Sequence, residues 1–332
     1  MRRKGVHWGM ATRSLVVGVS LLAALSIAAP ASAQRFPFER TYDVGSTPVI
    51  DVSTTRGRIN VRTGEPGRVV VTGAATVRVG LMVPADAIDL ARKVAANPPI
   101  EQSAERLRLR SPSSPEENRA MTVNYDVRVP PNSRVIAVSD SGAIEIRDVA
   151  GAVEARTQSS SIALSDLGST ADVDTGSGAV TVDRVVGIVR VSTSSSAITA
   201  RSLRGGLRAR TGSGRVFGSF VGEGPIDVQT QSSAIDLSGV SGGLTTFSES
   251  GHTYVTGEPS AAWNVTSGSS GIDVHFAAKV NATLHATTSS GTVYTPERLV
   301  TGSIEKGRVE GAIGDGGPVV RLSSRSGSIR VR

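Results

Sequence analysis

Residues 143–151 (AIEIRDVAG) run directly into 152–160 (AVEARTQSS), and residues 179–187 (AVTVDRVVG) into 188–196 (IVRVSTSSS). Each nine-residue half is a short apolar/polar alternation followed by Gly, Ser or Thr, the pattern of a half-buried strand and a turn. A key position, the second residue of the half 143–151, recurs at 144, 162, 180, 198, 216, 235, 253 and 272, a spacing of 18 or 19 residues, and is apolar in each case but Thr253. A fixed period of that size marks a stacked array, because one repeat cannot bury its own apolar face. The expected fold is all-β: a single-chain β-solenoid (β-helix) of about 18 residues per coil with an irregular N-terminal capping section. Ile144, Ile146, Val153 and Ala155 are expected to point inward and Glu145, Glu154 and Arg156 outward. A β-sandwich also accommodates alternating short strands, but its loops vary in length where these halves do not.

Working outward from the array, three regions are expected. Residues 1–33 read as a signal peptide: Arg2, Arg3 and Lys4 precede an apolar stretch over 14–29, and Ala31, Ser32 and Ala33 form a small-residue cleavage site. The apolar stretch falls short of the roughly 20 residues that span a bilayer, so no transmembrane span is expected after cleavage. Export places the protein in the periplasm, on the outer cell surface or in the medium. Residues 34–135 read as a β-rich section with one short helix. Strands are expected over 48–53, 58–62, 68–72, 75–79, 106–110 and 121–129, a helix over 85–96 and a loop over 111–118. Residues 136–332 form the repeat array.

The formal net charge of the 332-residue chain is +7, but residues 1–33 carry four of its 36 basic residues and none of its 29 acidic ones. Without them 32 basic residues face 29 acidic ones, so the basic character says little about nucleic acid, which is not an expected partner. Cysteine is absent, so stability has to come from packing and backbone hydrogen bonds rather than disulfides.

Residues 123–131 (VNYDVRVPP), the Ser-Gly-x-Ile/Val-x-Val repeats and residues 311–332 (GAIGDGGPVVRLSSRSGSIRVR) together resemble a bacterial family of adhesin-like proteins, a domain of unknown function built from β-strand repeats. The resemblance implies a solenoid and an envelope location, and brings no catalytic motif.

No catalytic residue, cofactor or metal site is expected. His252, His275 and His285 lack the close spacing of a metal site, and no cysteine supports them. Ser-Gly pairs such as Ser141-Gly142 and Ser177-Gly178 occupy turn positions in almost every repeat, which a structural rule explains better than a nucleophile. The outward position one residue after each key position reads Glu145, Ala163, Thr181, Thr199, Phe217, Asp236, Tyr254, Asp273, Tyr294. Phe217, Asp236, Tyr254, Asp273 and Tyr294 are therefore candidate ligand-binding residues, with rings to stack sugars and carboxylates to bond their hydroxyls. Arg190, Arg201, Arg204, Arg208, Arg210 and Arg215 form a basic band that would attract an anionic polymer, beside an acid-only stretch over 216–278. Adjoining bands of opposite charge are a second route, to self-association. These features point to a non-enzymatic envelope or cell-surface binding scaffold for polysaccharide, another envelope component or a surface protein. Two alternatives stand beside it: a polysaccharide lyase or hydrolase on the exposed sheet, and a periplasmic partner protein in envelope-stress signalling.

Overall fold

A computed structural model describes residues 34–332 apart from 79, 81, 82, 104, 278 and 296–298. The signal-peptide expectation for 1–33 lies outside the described residues. Ala33–Arg332 is one compact unit. Among the described residues its strands form two sheets, one of 14 strands and one of 15. Between residues 134 and 276 the chain alternates strictly between them, and each strand pairs in parallel with its counterpart in the next repeat.

The periodic positions stack on one another. In the 14-stranded sheet Ile144 pairs with Ile162, Ile162 with Val180, Val180 with Ile198 and Ile198 with Val216. The series continues through Ile235 and Thr253 to Ile272. In the 15-stranded sheet the matching column runs Val135, Val153, Ala171, Val189, Leu207, Ile226, Leu244, Trp263. The two columns face each other across a thin core of small aliphatic side chains, nearly all of them fully buried. Trp263 is the largest side chain in it, and its indole N–H donates to the Gly242 carbonyl at 2.9 Å, so the buried ring leaves no polar atom unpaired.

A second column explains the Ser/Thr-rich strand ends. Thr54, Ser139, Thr157, Thr175, Thr193, Thr211, Thr230, Ser248, Ser267, Ser324 and Thr288 occupy register-matched positions at the ends of strands in the 15-stranded sheet, and all are buried. In many repeats the hydroxyl accepts from the backbone N–H three residues on: Thr175 from Gly178 at 3.0 Å, Thr211 from Gly214 at 2.9 Å, Ser248 from Gly251 at 2.8 Å. The bond replaces the ladder partner the backbone loses as it leaves the sheet. Gly178 sits at this corner because a Cβ there would land on the carbonyl oxygen of Ser160 in the previous repeat.

Both ends of the array depart from simple succession. The strands Val49–Thr54 and Ile59–Thr63 slot between Arg106–Leu109/Met121–Val129 on one side and Arg134–Ser139/Ile144–Arg147 on the other. At the far end Val319–Ser324 and Ile329–Val331 slot between Trp263–Ser267/Ile272–Phe276 and Ala282–Thr288/Val293–Tyr294. Each terminal strand pair is thus held on both sides by chain from further inside. Beyond them, antiparallel strands close the stack: Arg35–Asp43 and Arg68–Val77 at one end, Arg308–Ile313 and Leu299–Glu305 at the other. Such closure removes the bare parallel edge that invites edge-to-edge pairing at one end of each sheet, while the two-residue strand Val293–Tyr294 is the C-terminal edge of the 14-stranded sheet.

Three local expectations are corrected. Residues 68–77 are one strand, not two: Gly73 lies in its middle because the Phe38 ring covers the space its side chain would need. The helix is Ala87–Ala96, and it buries Ala87, Ala91, Val94 and Ala95 while Ile88 is exposed. The expected loop over 111–118 contains a second short helix, Pro115–Ala120. Ser114 caps it by accepting from the Glu116 N–H at 3.2 Å, with Pro115 at its first turn, a standard start signal.

Candidate functional site

Alternation along each strand puts the residue after every key position on the outer face of the 14-stranded sheet. Register then orders that row across adjacent strands: Asp126, Asn60, Glu145, Ala163, Thr181, Thr199, Phe217, Asp236, Tyr254, Asp273, Arg330, Tyr294. Phe217, Asp236, Tyr254 and Asp273 stand on four consecutive strands, about 4.8 Å apart. The expected order fails at one place. Arg330, from the inserted C-terminal strand, stands between Asp273 and Tyr294, so Tyr254 and Tyr294 are three strands apart rather than two. No periodic reading of the array could place Arg330, because its strand enters out of sequence order.

The carboxylates of the row are paired within the protein. The Arg215 guanidinium meets Asp236 at 3.0 Å, and Asp273 is met by His252 at 3.1 Å and Arg330 at 3.6 Å. One oxygen of Asp273 is buried with no hydrogen-bond partner. The rings are engaged as well: Tyr254 lies 5.1 Å from the His275 ring, and the Arg330 guanidinium lies 5.4 Å from the centre of the Tyr294 ring, which is 51% exposed. The row is a preformed strip of rings and paired charges, held by side chains that already have partners.

The six arginines share a stretch of the array but not one face. Arg190, Arg208 and Arg210 lie on the outer face of the 15-stranded sheet, Arg190 opposite Arg208 on neighbouring strands. Arg201 is in the 14-stranded sheet and Arg215 just before one of its strands, while Arg204 lies in the turn between the sheets. A band in sequence becomes a ring around a solenoid, so no single ligand on one face reaches all six. The Arg190, Arg208 and Arg210 face also carries Arg156 beside four acids, Glu154, Asp172, Asp174 and Asp227, around a groove of about 430 Å³. Arg190 is paired to Asp172 at 3.4 Å.

Asp166 is held below the usual carboxylate range by its two-point contact with Arg184, at 2.6 and 2.8 Å. Burial pushes the Tyr125 phenol well above its ordinary value, with Tyr42 adding to the push and Arg110 opposing it. Among the described residues no group of three or more His, Asp or Glu side chains is placed to hold a metal ion, and no helix is long and apolar enough to cross a membrane.

Among curated proteins nothing matches the sequence. Two solved structures are similar over most of their length. A candidate cell adhesion protein from Clostridium sporogenes is 9% identical, over 89% of this chain and 98% of that one, with a TM-score of 0.19. A candidate adhesin from Bacteroides fragilis is 12% identical, over 89% of this chain and 97% of that one, with a TM-score of 0.35. The assignment rests instead on sequence: the model of the family described as Toastrack DUF4097 matches residues 112–332, about two thirds of the chain, and the chain belongs to that family.

Proposed function

We propose that this protein is a non-enzymatic scaffold of the bacterial envelope or cell surface, exported by way of residues 1–33, and that it holds polysaccharide along the outer face of its 14-stranded sheet. On this reading one coil of 18 or 19 residues is the structural unit, and each coil offers one contact. The observation that carries it is the row Phe217, Asp236, Tyr254, Asp273, Arg330, Tyr294 on consecutive strands. Aromatic faces suit the C–H faces of sugar rings, and the charged groups between them suit sugar hydroxyls. Each contact is weak, and affinity comes from many of them along a rigid repeat.

Co-sedimentation of the chain lacking residues 1–33 with purified envelope polysaccharides tests this. Saturable retention that survives high salt and is lost in Tyr254→Ala/Tyr294→Ala is the expected result. Absence of retention across all the polysaccharides would overturn the reading and leave a protein ligand in its place.

A further inference from the structure

The N-terminal end of the same face carries a second feature, an open cavity of about 660 Å³ on which Arg35, from the first strand, and Arg56 and Arg58, from the turn before Ile59–Thr63, converge. Its shape follows from register. Pro37, Ala74 and Asn124 lie side by side on three strands. Arg58 comes next, its N–H bonded to the Asn124 side-chain oxygen at 2.9 Å, and then Ala143 beside the N–H of Ile59. On either side of Arg58 the cavity is lined by residues with short side chains or none, Gly73 and Ala74, Gly142 and Ala143. From the Arg35 strand to the Arg58 strand is three strand spacings, ~14 Å, room for one or two sugar rings.

The charge in the cavity is uncompensated. Among the described residues Arg35, Arg56 and Arg58 form no ion pair, and Arg56 donates only to the Asn118 carbonyl, at 3.4 Å. The one acid in the wall, Asp126, is taken up by the Asn60 amide at 2.8 Å and by Arg62 at 3.6 Å. That contact fixes which way round the Asn60 amide sits and leaves its Oδ1 buried with no partner. The groove on the opposite face differs, because its four arginines stand among four acids. A cavity with surplus guanidinium charge matches a ligand that bears an anionic group.

We infer that this cavity binds an acidic sugar residue, with Arg35, Arg56 and Arg58 on its anionic group. The inference deepens the polysaccharide reading by naming a charged site on the same face. Asn60, in the cavity wall, also stands in the outward row that Phe217 and Tyr254 continue, so an acidic chain fixed at the cavity has a path along the strip.

The test is calorimetric titration of the chain lacking residues 1–33 with an oligogalacturonate, with the same oligomer after its carboxylates are reduced to alcohols, and with a phosphorylated oligosaccharide. Arg35→Gln/Arg58→Gln should weaken binding of the acidic oligomers about tenfold or more. Ala143→Leu, which fills the cavity without changing charge, should do the same, while Arg208→Gln/Arg210→Gln on the opposite face leaves binding unchanged. Comparing the carboxylate and phosphate arms identifies the anionic group. An unchanged far-ultraviolet circular dichroism spectrum and urea unfolding midpoint in each variant separate lost binding from lost fold. Equal affinity of the double variant and the parent, equal binding of the reduced oligomer, or no binding of either acidic probe overturns the inference. Acidic binding that ignores Arg35 and Arg58 but needs Tyr254 and Tyr294 would remove this site and keep the general reading. Binding of short uronates here, with no retention by any long polysaccharide, would do the reverse.

Discussion

Arg184 has a φ of 51°, in the left-handed region, at a corner where Asp148, Asp166 and Ser202 do the same one repeat apart and Gly239 does so further along. For an L-residue that conformation costs roughly 1–2 kcal/mol, and the ion pair with Asp166, exposed to solvent, offsets little of it. Strain therefore outweighs the pair. Arg184→Gly and Arg184→Ala both lose the pair, so their difference isolates the backbone: the strain relieved, less glycine's greater freedom when unfolded, should leave glycine the more stable by about 1 kcal/mol in urea denaturation. Alanine equal to glycine would contradict this. Tyr125 has a different kind of cost. Its hydroxyl donates to the Arg110 carbonyl at 2.7 Å inside the core, and burial raises its pKa above the unfolded value of about 10. The phenol must stay protonated when folded, so its contribution is fully present below pH 10 and is lost as pH rises beyond it. Tyr125→Phe should cost about 0.5–1.5 kcal/mol at pH 7 and show a shallower loss of stability than the parent above pH 10. Parallel stability curves for the two proteins in alkali would contradict that.

At the scale of the strand and its turn, the buried hydroxyl column makes a sharp comparison possible. Thr175 accepts from the Gly178 N–H, whereas the Thr230 hydroxyl is buried with no partner. Thr175→Val strands a buried donor and should cost about 1–3 kcal/mol, while Thr230→Val removes an unsatisfied group and should be neutral or stabilising. Equal costs would mean that the hydroxyls matter only for their volume. The Ser/Thr/Gly enrichment of these positions was legible in the sequence as turn chemistry, and the key column 144–272 as a stack, because parallel pairing at constant spacing writes itself into a period. The Pro115–Ala120 helix was less visible, since two prolines and a run of polar residues resemble a loop until Ser114 and Pro115 are read as a cap and first turn.

For the molecule as a whole, what the sequence concealed is the order of the end strands. Pairing between residue 59 and residues 125 and 144, or between 329 and residues 272 and 293, joins segments with no common phase. That is why Arg330 in the candidate row and the cavity around Arg58 emerge only from the assembled sheets, while Phe217, Asp236, Tyr254 and Asp273 followed from the period. Insertion has an energetic consequence: Trp263 pairs with Val320, and the hairpin strands beyond depend on Val319–Ser324. Deleting residues 315–332 should expose Trp263, shifting its emission to longer wavelength, and lower the unfolding midpoint of the whole unit, where loss of a simple terminal coil would leave the neighbouring core intact. Trp8 is the only other tryptophan and is absent from a chain that starts at residue 34, so the signal is unambiguous. The central claim is that the 14-stranded sheet holds a polysaccharide without cleaving it. Size-exclusion chromatography of an acidic envelope polysaccharide after prolonged incubation with the chain lacking residues 1–33 tests both halves at once. Co-elution of protein with polymer of unchanged length is the predicted result, and either a shortened polymer or separate elution of the two would contradict it.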